Sequence, residues 1–235
     1  MRGLPTSCTT EAAEGMVVRT DTEEVNRVRR TICEMLIADH PEECLTCSSN
    51  QKCELQKVAA HLGVRERRLE KLDRPADCDE SSPFFVRDAA KCILCGRCVR
   101  ACHEVRGVGA IDFASRGFES RIAAFADVPI AESVCESCGE CVAACPTGAL
   151  APRNEILPPT REVTTLCPYC GCGCGIVLGV RGGRIVSVRA QENHVTSRGS
   201  LCVKGRFGLD YVGSPDRLTR PLIRKDGELV ESSWD

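Results

Sequence analysis

KCILCGRCVRAC, residues 91–102, and VCESCGECVAAC, residues 134–145, are two copies of one pattern. Each reads C-x2-C-x2-C-x3-C, and in the second copy Pro146 follows the last cysteine. Three thiolates spaced by two residues wrap one face of an iron–sulfur cubane while the fourth is directed away. In two-cluster ferredoxins that fourth cysteine serves the other cluster. The pattern therefore assigns Cys92, Cys95, Cys98 and Cys145 to one [4Fe-4S] cluster, and Cys135, Cys138, Cys141 and Cys102 to its neighbour. His103 stands where a proline would close the first run, which leaves the turn after Cys102 open. Zinc sites favour separated C-x2-C pairs, and a duplicated triple-plus-one run fits them poorly.

Two further groups flank this repeat. HPEECLTCSSNQKC, residues 40–53, presents His40, Cys44, Cys47 and Cys53 between two predicted helices. On spacing alone it reads as a Cys3His zinc site or as a histidine-ligated cluster, and the neighbouring cluster runs favour the cluster. A neutral imidazole in place of a thiolate leaves that cluster less negative and raises its reduction potential. LCPYCGCGCGIVLGV, residues 166–180, offers Cys167, Cys170, Cys172 and Cys174, and Cys202 follows in GSLCVKG. Glycines 171, 173 and 175 let the backbone curl around a bulky group. Cys167, Cys170 and Cys174 with Cys202 make the better ligand set, and Cys172 is a spare packed beside it.

The chain has 235 residues, 19 cysteines, only 4 % aromatic residues and a net charge of −2. So few aromatics imply no single large core, and small domains then need disulfide or metal staples. The first fifteen residues have no apolar signal region, neither Arg29-Arg30 nor Arg67-Arg68 reads as an export signal, and no apolar run approaches membrane-spanning length. The expectation is a cytoplasmic chain with reduced thiols that serve as metal ligands. The interspersed charge argues against nucleic-acid binding. No G-x-G-x-x-G, P-loop or serine–histidine arrangement offers a site for hydride, phosphoryl or acyl chemistry.

Composition divides the chain into helical, ferredoxin-like and small β-containing parts, an α+β multi-module architecture. Val25, Val28, Ile32, Met35 and Leu36 recur at helical spacing after a cap at Asp21 or Thr22, with Pro41 as the stop. A second helix is predicted from about Asn50 to Leu62, with Gly63 after it. The charged connector RERRLEKLDRPADCDESSP and the proline-bearing APRNEILPPTRE mark boundaries. GIVLGV and RIVSVRA are predicted strands around an Arg181-Gly182-Gly183 turn. Cys33 reads as a small buried hydrophobe and Cys78 as a free thiol. His61, His103 and His194 lack the cysteine company of His40 and read as surface histidines or as neighbours of ligands.

At these motifs the chain resembles the N-terminal iron–sulfur part of the α subunit of soluble, NAD-linked, molybdenum- or tungsten-dependent formate dehydrogenases. HPEECLTCSSNQKCELQ is similar to the histidine-ligated cluster segment shared with the large iron–sulfur subunit of NADH:quinone oxidoreductase and with iron-only hydrogenases. LCPYCGCGCGI…GSLCVKGRFGLDYVGSPDRLTRPLIR is similar to the module that opens the bis-molybdopterin-guanine-dinucleotide oxidoreductases. The resemblance implies a remnant of a [2Fe-2S] domain at 1–20, with Cys8 as its last ligand, and a His/Cys3 [4Fe-4S] module at 21–63. It further implies a linker at 64–82, a two-cluster ferredoxin-type domain at 83–155, a Mo/W-type [4Fe-4S] module at 160–216, and the start of a molybdopterin domain at 217–235.

By the same resemblance, Cys167, Cys170, Cys174 and Cys202 hold the cluster nearest the pterin, and Lys204 lies between the two. The chain is then an interior piece of a longer polypeptide, with four [4Fe-4S] clusters of its own. A Mo or W pterin cofactor and a [2Fe-2S] cluster occur only in the complete protein. No catalytic residue falls within 1–235. The implied partners are the rest of the α subunit and flavin/NAD-binding iron–sulfur subunits, with no nucleic acid and no membrane span. The implied function is electron relay in formate oxidation. The alternatives are the large iron–sulfur subunit of NADH:quinone oxidoreductase, a stand-alone ferredoxin-type carrier, or a zinc-stabilised scaffold.

Overall fold

A computed structural model of the chain describes residues 3–71, 77–153 and 158–235. Residues 72–76 of the charged connector and 154–157 of the proline-bearing linker lie outside the described residues. Three small cores, each containing cysteine, organise the rest.

Residues 3–20 contain neither helix nor strand. Helix α1 (Glu23–Ala38) begins at Thr22, whose Oγ1 accepts the Val25 N–H at 3.2 Å. Glu23 and Glu24 occupy the first turn, where the helix dipole favours negative charge. The face it buries differs from the expected stripe. Cys33, Glu34 and Ala38 turn inward, while Ile32 and Met35 are 51 % and 58 % exposed. Glu34 tolerates burial because Arg68 clasps it with two hydrogen bonds, one of them from Nε at 3.0 Å. Helix α2 (Glu54–His61) starts later than predicted, because Asn50 to Lys52 are spent on tight turns in which Gln51 has φ +66°. Gly63 follows it in the left-handed region, at φ +68°. Cys33, Cys53, Leu55 and Leu62 form the core between α1 and α2.

The middle module runs β1 (Cys78–Asp79), β2 (Phe85–Asp88), α3 (Arg97–Arg100), β3 (Ile111–Ala114), β4 (Arg121–Ala124), α4 (Glu140–Ala144) and β5 (Leu150–Pro152). Strands β1, β2 and β5 form one antiparallel sheet in that order, and β3 pairs β4 in a hairpin. The repeat seen in the sequence is a repeat of backbone too. Leu94 and Ser137 have φ of 53° and 52°, and Gly96 and Gly139 follow at 70° and 76°. The turn after Cys102 shows what the missing proline changes. Chain 101–105 continues the helix as a π-type turn through Cys102, whereas α4 stops at Ala144. Cys145 is extended there, as a residue before proline must be.

The last module is a sheet β6 (Arg161–Leu166), β7 (Gly175–Arg181), β8 (Arg184–Ala190), all antiparallel. The predicted turn is present, with Gly182 and Gly183 at φ +56° and +78°, the two positive values a two-residue type I′ turn requires. Strand β6 was not anticipated. Helix α5 (Val203–Phe207) packs back on β8, and a final hairpin, β9 (Leu222–Lys225) with β10 (Glu228–Glu231), turns at Asp226-Gly227. No helix among the described residues is long and apolar enough to cross a membrane. The result is a mixed helix-and-sheet chain of several small modules.

Candidate metal centres

In the first module His40, Cys44, Cys47 and Cys53 all line one cavity of about 580 Å³. His40 Nδ1 lies 3.0 Å from the Pro41 carbonyl, a contact in which the ring can only donate. That fixes the tautomer and leaves Nε2 with its lone pair free. Nε2 is buried and has no hydrogen-bond partner. A buried unpartnered nitrogen is costly unless something binds it, and three thiols share its cavity. These residues fit a histidine-ligated cluster.

In the middle module the two fourth cysteines cross over. Cys98 is surrounded by Cys92, Cys95 and Cys145, and burial together with these neighbours pushes its thiol up to about 11. Cys92 is raised by burial first and then by Cys145 and Cys95. Across the module Cys102, Cys135, Cys138 and Cys141 line a common pocket. Burial is also the main cause that raises Cys135 and Cys141, with Cys102 and Cys138 among the neighbours of both. Backbone amides already point at the sulfurs: Leu94 N–H at Cys92 Sγ and Ser137 N–H at Cys135 Sγ, both at 3.4 Å, and Ala110 N–H at Cys102 Sγ at 3.2 Å. Such bonds stabilise a reduced, more negative cluster and raise its potential.

In the last module the cysteine loop joins β6 to β7. Cys167 N–H donates to the Cys174 carbonyl at 2.8 Å and closes it. Cys202 is presented at the start of α5, where a Cβ on Gly205 would lie 3.5 Å from Cys167 Sγ. Cys174 is raised by burial first and then by Cys172, Cys167, Cys170 and Cys202, so all five thiols share one neighbourhood. Cys170 is exposed and lowered, chiefly by the Cys172 backbone N–H and thiol, with a smaller effect of Lys204. Cys172 is therefore not turned away from the group: its thiol is hydrogen-bonded to that of Cys170. Tyr169, unremarked in the sequence, pins the loop to α5 by donating to the Gly208 carbonyl.

Zinc draws its ligands onto one point, at about 2.3 Å for each sulfur, whereas a cubane gives each thiolate its own iron and spreads them around a larger body. The donor sets suit the second arrangement. Cys33 is buried in its core, and Cys8 and Cys78 are exposed.

The three modules touch near their cysteines. Pro146, Thr147 and Gly148, just after Cys145, accept the Glu54 N–H at 2.9 Å, accept the Ser49 hydroxyl at 3.1 Å, and crowd Cys47, respectively. Arg97 grips Glu54 with two bonds of 2.7 and 2.8 Å. On the other side Arg206 pairs with Glu140 and donates from Nε to the Cys138 carbonyl at 3.0 Å. Glu140 Oε1 also accepts Leu201 N–H at 2.9 Å and Ser200 Oγ at 3.1 Å. Phe207 seals this seam by stacking on Phe84, with ring centroids 5.3 Å apart. Glu140 and Arg206 escaped the sequence reading. The available signal was that the repeats carry opposite charges at one position, Arg97 against Glu140.

Three family profiles match the chain. They are the NADH-ubiquinone oxidoreductase-G iron–sulfur binding region at residues 29–68, a 4Fe-4S dicluster domain at 91–149, and the molybdopterin oxidoreductase Fe4S4 domain at 160–214. A G-type subunit of the NADH-quinone oxidoreductase of Rhizobium meliloti is 39 % identical over all of this chain, which spans 28 % of that protein. A candidate formate dehydrogenase of Staphylococcus haemolyticus is 28 % identical over 97 % of the chain, again 28 % of its own length. Among solved structures, an NAD+-reducing [NiFe]-hydrogenase in the H2-reduced state has a TM-score of 0.59 and 32 % identity, covering 63 % of this chain and 64 % of the other. All three profiles describe iron–sulfur regions, so clusters of the 4Fe-4S type are the cofactors of this chain. It corresponds to the N-terminal iron–sulfur region of the family formed by molybdopterin oxidoreductases and the G-type subunits of NADH–quinone oxidoreductase.

Proposed function

We propose that this chain is an electron relay holding four [4Fe-4S] clusters, about 16 irons in all. The contact order runs from Cys167, Cys170, Cys174 and Cys202 to Cys102, Cys135, Cys138 and Cys141. It continues to Cys92, Cys95, Cys98 and Cys145, and ends at His40, Cys44, Cys47 and Cys53. The observation that carries this reading is that both seams among the described residues include groups beside the cysteines: Arg206 on the Cys138 carbonyl, and Gly148 against Cys47. When bound, each cluster supplies a one-electron carrier. The chain fixes their spacing, keeps water from the seams, and tunes potentials through His40 and the amide–sulfur bonds.

In the finer reading the relay lies in the cytoplasm and joins a molybdopterin site in the rest of the polypeptide to a flavin/NAD-binding partner subunit. Formate is the substrate, and Lys204, which is exposed beside Cys170, would lie between this cluster and the pterin. The complete second ferredoxin run and the module at 160–214 support this. The 39 % identity to a quinone oxidoreductase subunit favours a second reading, in which the same relay serves NADH oxidation.

The test is metal and acid-labile sulfide analysis of the complete protein, followed by reduction with formate or with NADH under electron paramagnetic resonance (EPR). About 16 irons with reduction by formate supports the first reading, and reduction by NADH alone supports the second. Zinc without iron or sulfide ends both.

A further inference from the structure

The two cysteine runs of the middle module share their backbone turns, yet their equivalent charged positions are treated very differently. Arg97 pairs with Glu54 at the surface, where the two side chains are 44 % and 50 % exposed. Glu140, at the same place in the second repeat, pairs with Arg206 in the interior, at 10 % and 6 %. Charges at the exposed surface are screened by water and salt, and buried ones are screened much less.

Both buried charges lie against the second cluster group. Arg206 Nε donates to the Cys138 carbonyl, and Glu140 sits between Cys138 and Cys141 in sequence. Arg206 also reaches the other side of the seam, since its backbone N–H donates to the Cys202 carbonyl at 3.1 Å. Arg206 and Phe207 pack directly on Gly139, where a Cβ would overlap both side chains.

We infer that the buried Arg206–Glu140 pair sets the reduction potential of the cluster held by Cys102, Cys135, Cys138 and Cys141, and that the exposed Arg97–Glu54 pair has no such effect on its twin. Adding an electron makes a cluster more negative. A nearby fixed cation favours that step and a nearby fixed anion opposes it, so the balance between guanidinium and carboxylate decides the midpoint. The buried ion pair is one feature that makes the two clusters unequal.

The inference rests on the cluster assignment proposed above, and the experiment separates the two. The complete, iron-loaded protein is titrated redoximetrically under EPR as Glu140→Gln, Arg206→Gln, Arg206→Lys, Glu54→Gln and Arg97→Gln. Glu140→Gln keeps an amide oxygen for Leu201 and Ser200 but removes the anion, so the midpoint of this cluster rises. Arg206→Gln removes the cation and the midpoint falls, while Arg206→Lys restores most of the shift. The two variants of the exposed pair leave the midpoint of the twin cluster, held by Cys92, Cys95, Cys98 and Cys145, in place. Shifts of one sign in both glutamine variants at positions 140 and 206, or no shift with the clusters intact, overturn the inference. So does loss of this cluster in both of those variants, which makes the pair a structural clamp only. Absence of any cluster signal in the unaltered protein falls on the relay reading instead.

Discussion

A Cβ placed on Gly148 would start 2.5 Å from the sulfur of Cys47, so the middle module and the histidine-bearing module meet with no room for a side chain. Gly148→Ala must push that sulfur or the backbone back. Overpacking of this kind costs about 1–3 kcal/mol. The damage is local: the EPR signal of the His40 group is lost or broadened, while that of the Cys167–Cys202 group persists.

His40 offers a second handle. His40→Cys replaces a neutral ligand with an anionic one, so one midpoint falls and the other three stay within error in a redox titration. His40→Ala removes the ligand and yields a preparation short by one cluster in iron analysis. Unchanged iron and midpoints in both variants refute the assignment of Nε2.

The five thiols of the last module are separable by substitution. Cys172→Ser is expected to keep a full [4Fe-4S] signal, because Cys167, Cys170, Cys174 and Cys202 remain. Cys170→Ser is expected to lose it. The reverse result makes Cys172 the ligand and Cys170 the bystander, a swap that their mutual hydrogen bond makes a direct test.

Cluster assembly carries a pH dependence. Thiolates are the ligands, and burial holds the protons on Cys98, pushed up to about 11, and on Cys92, Cys135 and Cys141. Assembly on the folded scaffold must therefore release protons, and raising the pH favours it. Reconstitution with iron and sulfide is expected to go faster and further at about pH 8.5, near the ordinary thiol pKa, than at about pH 7, followed at the iron–sulfur absorption band.

Removing the first helix cap is a control on stability alone. Thr22→Ala deletes the acceptor for the Val25 N–H and costs about 1 kcal/mol. The midpoints of the four clusters do not move.

The cysteine groups stand out in the sequence because their spacing is local: three thiols within seven to ten residues declare themselves without any tertiary information. The hairpin at Gly182-Gly183 was legible for the same reason. Strand β6 was not, since all six of its residues are exposed and REVTTL has little apolar alternation to read. The apolar stripe of α1 misled because Glu34 enters the core, and the partner that permits this, Arg68, lies 34 residues away. The seam residues share that difficulty. Glu140 and Arg206 are separated by 66 positions, and only the fold shows that the charge inversion between the repeats has a partner on each side.

The crossing of the fourth cysteines has a practical consequence for anyone dissecting the chain. A cut anywhere between Val105 and Val134 would produce two peptides with three thiols each in the pattern and one thiol pledged to the missing half. Neither is a smaller ferredoxin. On the proposed ligand sets the duplicated unit is indivisible, and a minimal expressible version spans both runs together with β2 and β5, the strands that tie its two ends to each other.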